Sequence, residues 1–161
     1  QLYECNEQQI PITQELSYTE NFMELQKLRL DGNVQLIFSR AAVEQTDLSI
    51  APFIIMPFVE NAFKHVSQHA HEHNWIRINF QIKGNQFLAD IANSVSVNMP
   101  AAQDAVVYRG IGLKNVQRRL DLLYPGQHTL DLQRTENEFR VILKLNLNRA
   151  TRVIKSDLKV A

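Results

Sequence analysis

Apolar positions change their spacing several times along the chain, and each change marks an element. Residues 1–11 are polar, follow no period and end at Pro11. Thr13 is then placed to cap a helix with Glu15 in its first turn, and Tyr18, Phe22, Leu25 and Leu28 form an apolar stripe running to about Arg29. Asp31-Gly32 ends that helix. Val34, Leu36 and Phe38 alternate with other residues and predict a strand. Ser49 and Pro52 lie near the start of a second, largely apolar helix; Pro57, inside it, should kink it or remove one backbone bond. Ile76, Ile78, Phe80 and Ile82 alternate with polar residues, Gly84-Asn85 turns the chain, and Phe87, Ala89 and Ile91 carry the return strand. Residues 94–109 show neither period and read as a long loop. Leu113, Val116, Leu120 and Leu123 line one face of a third helix, with Arg118, Arg119 and Asp121 outside and Pro125-Gly126 closing it. Leu130 and Leu132, a polar turn at 136–138, and Phe139, Val141, Leu143, Leu145 and Leu147 predict a last hairpin.

The order is helix, strand, helix, hairpin, loop, helix, hairpin. It predicts an α+β fold, a two-layer sandwich with helices on one face of a mixed, mostly antiparallel sheet. Residues 149–161 alternate basic and apolar side chains and read as a C-terminal tail.

Composition narrows the function classes. At 161 residues the chain is most simply one domain, and 45% hydrophobic residues supply a core. Lys plus Arg and Asp plus Glu both number 17, so no net field draws nucleic acid or an anionic membrane. The single cysteine, Cys5, excludes an internal disulfide and fits a reducing compartment. The apolar run Ile50–Val59 is too short to span a bilayer and carries two prolines. Opening on Gln rather than Met, the chain reads as a fragment of something longer.

The chemistry concentrates in two segments. Pro52–His65, PFIIMPFVENAFKH, is apolar except for Glu60, Asn61, Lys64 and His65, which helical spacing gathers into one polar stripe. An amide, an ammonium and an imidazole side by side suit an anionic ligand and its metal ion. Gly110-Ile111-Gly112-Leu113 offers backbone that can approach a phosphate closely and a helix start with free N–H groups. The pair predicts binding of a nucleoside triphosphate. His69, His71 and His73 alternate in a loop; such a cluster can bind Zn²⁺ or Ni²⁺, but only Glu72 is at hand to complete a site. Cys5 has no His partner nearby in sequence.

PFIIMPFVENAFKHV and GIGLKNVQRRLDLLYPG resemble the N box and G2 box of the nucleotide-binding domain of bacterial sensor histidine kinases, above all the LytS-like branch of the wider GHKL ATPase superfamily. The likeness runs from about Leu16 to about Leu147. It implies a Bergerat-type ATP-binding fold, with ATP and Mg²⁺ as cofactors, over residues 12–148. Residues 1–11 would continue an upstream helical hairpin or linker. By this resemblance Asn61 coordinates Mg²⁺, Lys64 and His65 face the phosphates beside Glu60, and Gly110 and Gly112 hinge a lid. The backbone N–H groups of 110–113, Ile111 and Leu113 included, then reach the β- and γ-phosphates. Asn61 and Lys64 are the catalytic candidates.

Two departures matter. Where the family's G1 box places an adenine-reading Asp followed by glycines, this chain has Asn93 and no glycine; Asn still accepts through its carbonyl oxygen, and Asp90 is the weaker candidate. Where ATP-hydrolysing relatives place a general-base Glu four residues before the magnesium Asn, this chain has Pro57, and Glu60 is rotated about 100° away. That argues for phosphoryl transfer to a protein group rather than to water; the resemblance implies that the acceptor is a histidine outside this chain. The implied partners are the upstream dimerisation and phosphoacceptor hairpin, in a homodimer, and a response regulator, with the domain on the cytoplasmic side of an inner-membrane sensor. The alternative is a degenerate nucleotide-binding domain that regulates its partner without phosphotransfer.

Overall fold

The elements follow one another as β1 (Ile10–Pro11), α1 (Ile12–Lys27), β2 (Val34–Arg40), β3 (Leu48–Ile50), α2 (Met56–His65), β4 (Asn74–Lys83), β5 (Gln86–Ser94), α3 (Ile111–Leu123), β6 (His128–Arg134), β7 (Glu138–Asn146) and β8 (Asn148–Arg149). They come from a computed structural model that describes residues 8–40, 47–68, 73–96 and 111–149.

Period-2 patterning builds the main sheet. Its five strands lie in the order β2-β4-β5-β7-β6. β2 runs parallel to β4, with Phe38 opposite Ile78, and every other pair is antiparallel, with Ile78 opposite Ile91 and Ala89 opposite Leu143. Ile76, Ile78 and Phe80, Phe87, Ala89 and Ile91, and Val141, Leu143 and Leu145 therefore share one buried face. Phe80 and Phe87 meet at 5.8 Å between ring centroids, and each fully buried side chain of this size contributes about 1.5–3 kcal/mol of transfer free energy. α2 lies on β4 and β5, while α3 packs on α2 and β6. The opposite face carries a polar ladder, and among the described residues no helix packs on it. On it Arg140 grips Asp90 through Nε and Nη2 at 2.8 and 2.6 Å, and Arg77 reaches Glu138 while lying 5.0 Å over the Trp75 ring. The α+β two-layer expectation holds. None of the described helices is long and apolar enough to cross a membrane.

Several local expectations are corrected. Thr13 is not the cap of α1: Pro11 holds that position with no side-chain cap bond, because Ile10 and Pro11 are kept extended by pairing with Ile50 and Ser49. The periodic stripe of α1 is real but lies on the wrong side. Tyr18, Leu25 and Leu28 are 40%, 65% and 84% exposed, and only Phe22 packs inward, edge-on to Phe63. The buried face is Ile12, Glu15, Leu16, Thr19 and Met23. Its two polar members hid it from a count of apolar residues; Thr19 is satisfied by donating to the Glu15 carbonyl at 2.9 Å.

Ser49 belongs to β3 and Pro52 to the turn after it, so α2 starts at Met56. Pro57 thus falls in its first turn, where a missing N–H removes no helical bond and bends nothing. Asn148 and Arg149 continue beyond the last hairpin as β8, which with β1 flanks β3 in a small second sheet. Of the long loop only 94–96 are described, and the tail beyond Arg149 lies outside the described residues.

Candidate functional site

α2 separates its side chains as its sequence requires. Phe58, Val59, Ala62 and Phe63 are buried against the sheet, Glu60 and Lys64 are exposed, and Asn61 and His65 are half-buried between the two faces. The polar stripe is therefore real and sits on the outer flank of the helix. Lys64 and His65 occupy its last turn, where the helix dipole favours cations.

Both ends of α2 are tied down by polar groups. At the C-terminal end, the Ser67 N–H donates to the Ser94 carbonyl at 3.0 Å. The Ser67 hydroxyl donates to Asn74 Oδ1 at 2.6 Å and lies 2.8 Å from the Ser94 hydroxyl, all three residues being buried. At the N-terminal end the anchor is Glu15, only 1% exposed. Its Oε2 accepts the Phe53 N–H at 2.9 Å, and its Oε1 accepts the N–H of Ile55, the cap residue of α2, at 3.3 Å. Burial pushes the Glu15 carboxyl above the ordinary carboxylate range, against the pull of the backbone donors at Phe53, Ile55 and Ile54 and of the Arg119 charge.

α3 holds the same turn from its other side. Arg119 donates to the carbonyls of Pro52 and Phe53 at 3.0 and 3.3 Å. The Tyr124 hydroxyl accepts the Ala51 N–H at 2.9 Å. Burial raises the Tyr124 phenol above its ordinary value, opposed by hydrogen bonds with Ala51 and the Gln9 side chain. Glu15 and Arg119 are the residues that sequence reading missed. Glu15 was expected only as a first-turn acid and Arg119 as a solvent-facing cation, yet each is committed to backbone about 40 to 70 residues away in sequence.

The remaining candidates divide. Asn93 lies on the helix-facing side of β5 at 1% exposure, and its amide donates to the Ser94 carbonyl at 3.0 Å. Asp90 faces the opposite way, and its bond to Arg140 raises the guanidinium pKa further. Gly112 is exposed in the first turn of α3, with nothing within 4 Å of where a Cβ would stand, and Leu113 is buried. The N–H groups of that turn lack helical acceptors. Of Ile111 the backbone alone is described, and Gly110 lies outside the described residues. His73 is exposed; His69, His71, Glu72 and Cys5 also lie outside them. Among the described residues no group of three or more His, Cys, Asp or Glu could hold a metal ion. An ion at Asn61 would therefore draw most of its ligands from substrate phosphate and water, which is how Mg²⁺ is usually held.

No protein-family model matches the chain. Its sequence is similar to the sensor protein LytS of Streptococcus agalactiae, 25% identical over 147 residues, and to that of Streptococcus mutans, 28% identical over 138 residues. These matches cover 84% and 81% of this chain but 24% and 23% of those proteins, so the chain spans about a quarter of their length. In structure it is similar to the catalytic domain of histidine kinase ThkA, with TM-score 0.59 and 13% identity over 89% of this chain and 98% of that one. The mycobacterial sensor histidine kinase MprB follows at TM-score 0.55 and 12% identity, covering 89% of this chain and 99% of that one. The fold is that of a histidine kinase catalytic domain, and the sequence likeness is to the LytS sensors.

Proposed function

We propose that this chain is the ATP-binding catalytic domain of a two-component sensor histidine kinase, passing the γ-phosphoryl group of ATP to a histidine outside it. The observation that carries the reading is Asn61. It is a half-buried amide on the polar flank of α2, a helix pinned at both ends, on a fold shared with histidine kinase catalytic domains and in a chain similar to LytS sensors.

In this reading Asn61 offers its side-chain oxygen to Mg²⁺, and exposed Lys64 with half-buried His65 hold phosphate oxygens beside Glu60. Backbone N–H groups at 110–113 cradle the terminal phosphates, with Gly110 and Gly112 as hinges. When bound, the metal ion neutralises charge that develops on the transferred group. Asn93 faces the base, accepting through the oxygen that its bond to Ser94 leaves over. Pro57 supplies no proton acceptor one turn before Asn61, and the Glu15 carboxylate is engaged by backbone amides. The site therefore suits transfer to a protein group, which depends on positioning, better than attack by water. The partners are an upstream phosphoacceptor hairpin in a homodimer, then a response regulator, with the domain on the cytoplasmic side of a membrane sensor.

Titration calorimetry with Mg-ATP tests the site: Asn61→Ala should weaken binding to the level that the natural chain shows without Mg²⁺, and unchanged binding would remove Asn61 from it. A second reading, regulation by nucleotide occupancy without phosphotransfer, is favoured by the Asn93 amide turned onto Ser94 where the family has Asp. Radiolabelled ATP given to the chain together with its acceptor hairpin separates the two. Label on histidine excludes the second reading.

A further inference from the structure

Phe53 is the one non-glycine among the described residues with positive φ, at 58°, and the residue is 54% exposed. Left-handed backbone at a bulky residue is unfavourable and persists only where the surroundings fix it. Here they do. The Phe53 N–H is taken by Glu15 of α1, its C=O and that of Pro52 by Arg119 of α3, and its ring stacks on Tyr18 of α1 at 6.2 Å and 14°. Both polar groups of one residue are thus held by side chains from different helices. Two residues later the same Glu15 carboxylate holds Ile55, whose carbonyl accepts the first helical bonds of α2 from Phe58 and Val59. Asn61 lies six residues farther on, about 9 Å along the axis. A change at the turn therefore moves Asn61 through a short rigid helix.

We infer that Glu15 and Arg119 are positioning residues of the nucleotide site: by gripping the Phe53 peptide from opposite sides they fix where α2 begins and so where Asn61 stands. The inference rests on the reading of Asn61 as the magnesium ligand. It adds that α1 and α3 act on that ligand through one turn rather than through contacts of their own with nucleotide. Neither Glu15 nor Arg119 need touch the ligand for its replacement to weaken magnesium-dependent binding.

The test compares the affinity of a fluorescent ATP analogue in Mg²⁺ and in EDTA for the natural chain, Glu15→Gln, Arg119→Lys, Asn61→Ala and the double variant Glu15→Gln/Asn61→Ala. Both positioning variants should lose about tenfold in Mg²⁺ and nothing in EDTA, and the double variant should lose no more than Asn61→Ala alone. A general loosening of the fold would lower both affinities together. Arg119→Lys, which keeps its charge on a half-buried helix position, serves where Glu15→Gln does not fold. Magnesium dependence equal to that of the natural chain in both variants, or losses that add in the double variant, overturns the inference alone. A natural chain that binds the analogue in neither buffer, or equally in both, overturns the reading of Asn61 and the inference with it.

Discussion

Tyr124→Phe isolates one hydrogen bond in the frame around α2. The ring stays, so packing against the core is unchanged, and the hydroxyl that accepts the Ala51 N–H at 2.9 Å is removed. Ala51 is 0% exposed, so its N–H loses its acceptor without gaining water. A buried donor left in this way costs about 1–3 kcal/mol. Gln9, the other partner of that hydroxyl, is exposed and returns to solvent at little cost. For a chain of this length each kcal/mol moves the midpoint of thermal unfolding by about 2–4 °C, so the expected loss is about 2–12 °C. In urea the midpoint should fall with the slope unchanged, since the native surface is the same. Tyr18→Phe is the control: Tyr18 is 40% exposed and its hydroxyl accepts from the exposed Gln14 side chain, so it should stay within about 0.5 kcal/mol of the natural chain. Equal effects of the two substitutions would refute the reasoning, because the hydroxyl at 124 would then carry no buried bond.

Two further outcomes follow from the same geometry. The Glu15 carboxyl is raised by burial, so in the window between the ordinary glutamate value, about 4.3, and its folded value the native state binds more protons than the unfolded chain. Its contribution is then complete below that window and declines as pH rises through it. The stability gap between the natural chain and Glu15→Gln, read from urea midpoints, should shrink from acid toward neutral pH; a gap that widens would contradict it. Gly112→Ala meets nothing within 4 Å in a helical turn, so it should stabilise the chain by about 0.5–1 kcal/mol while weakening ATP if Gly112 acts as a hinge. Calorimetry and thermal melting read the two effects separately, and unchanged affinity would remove the hinge.

What could be read from the sequence was whatever repeats. The hairpin of β4 and β5, the inner faces of α2 and α3 and β7 of the closing hairpin bury alternating or helically spaced apolar residues, whereas Leu132 of β6 is left 41% exposed. The flank of α2 bearing Glu60, Asn61, Lys64 and His65 was legible for the complementary reason, as a polar interruption in an apolar helix. The small sheet was not, since strands of two and three residues are too short to establish a period. α1 failed more instructively. Its inner face contains Glu15 and Thr19, which any apolarity count assigns to solvent. Removing a carboxylate from water costs several kcal/mol unless hydrogen bonds offset it. Those bonds come from backbone N–H groups 38 and 40 residues farther along the chain, where no local pattern announces them. Arg119 escaped notice in the same way, its acceptors lying 67 and 66 residues back. The missed residues share one property: each binds the backbone of the Pro52–Ile55 turn, which has no period of its own and is held in a strained shape by side chains from two helices. A feature built mainly of long-range polar bonds leaves its mark only as an acid and a base out of place, and here both lie against the turn that starts the helix of Asn61.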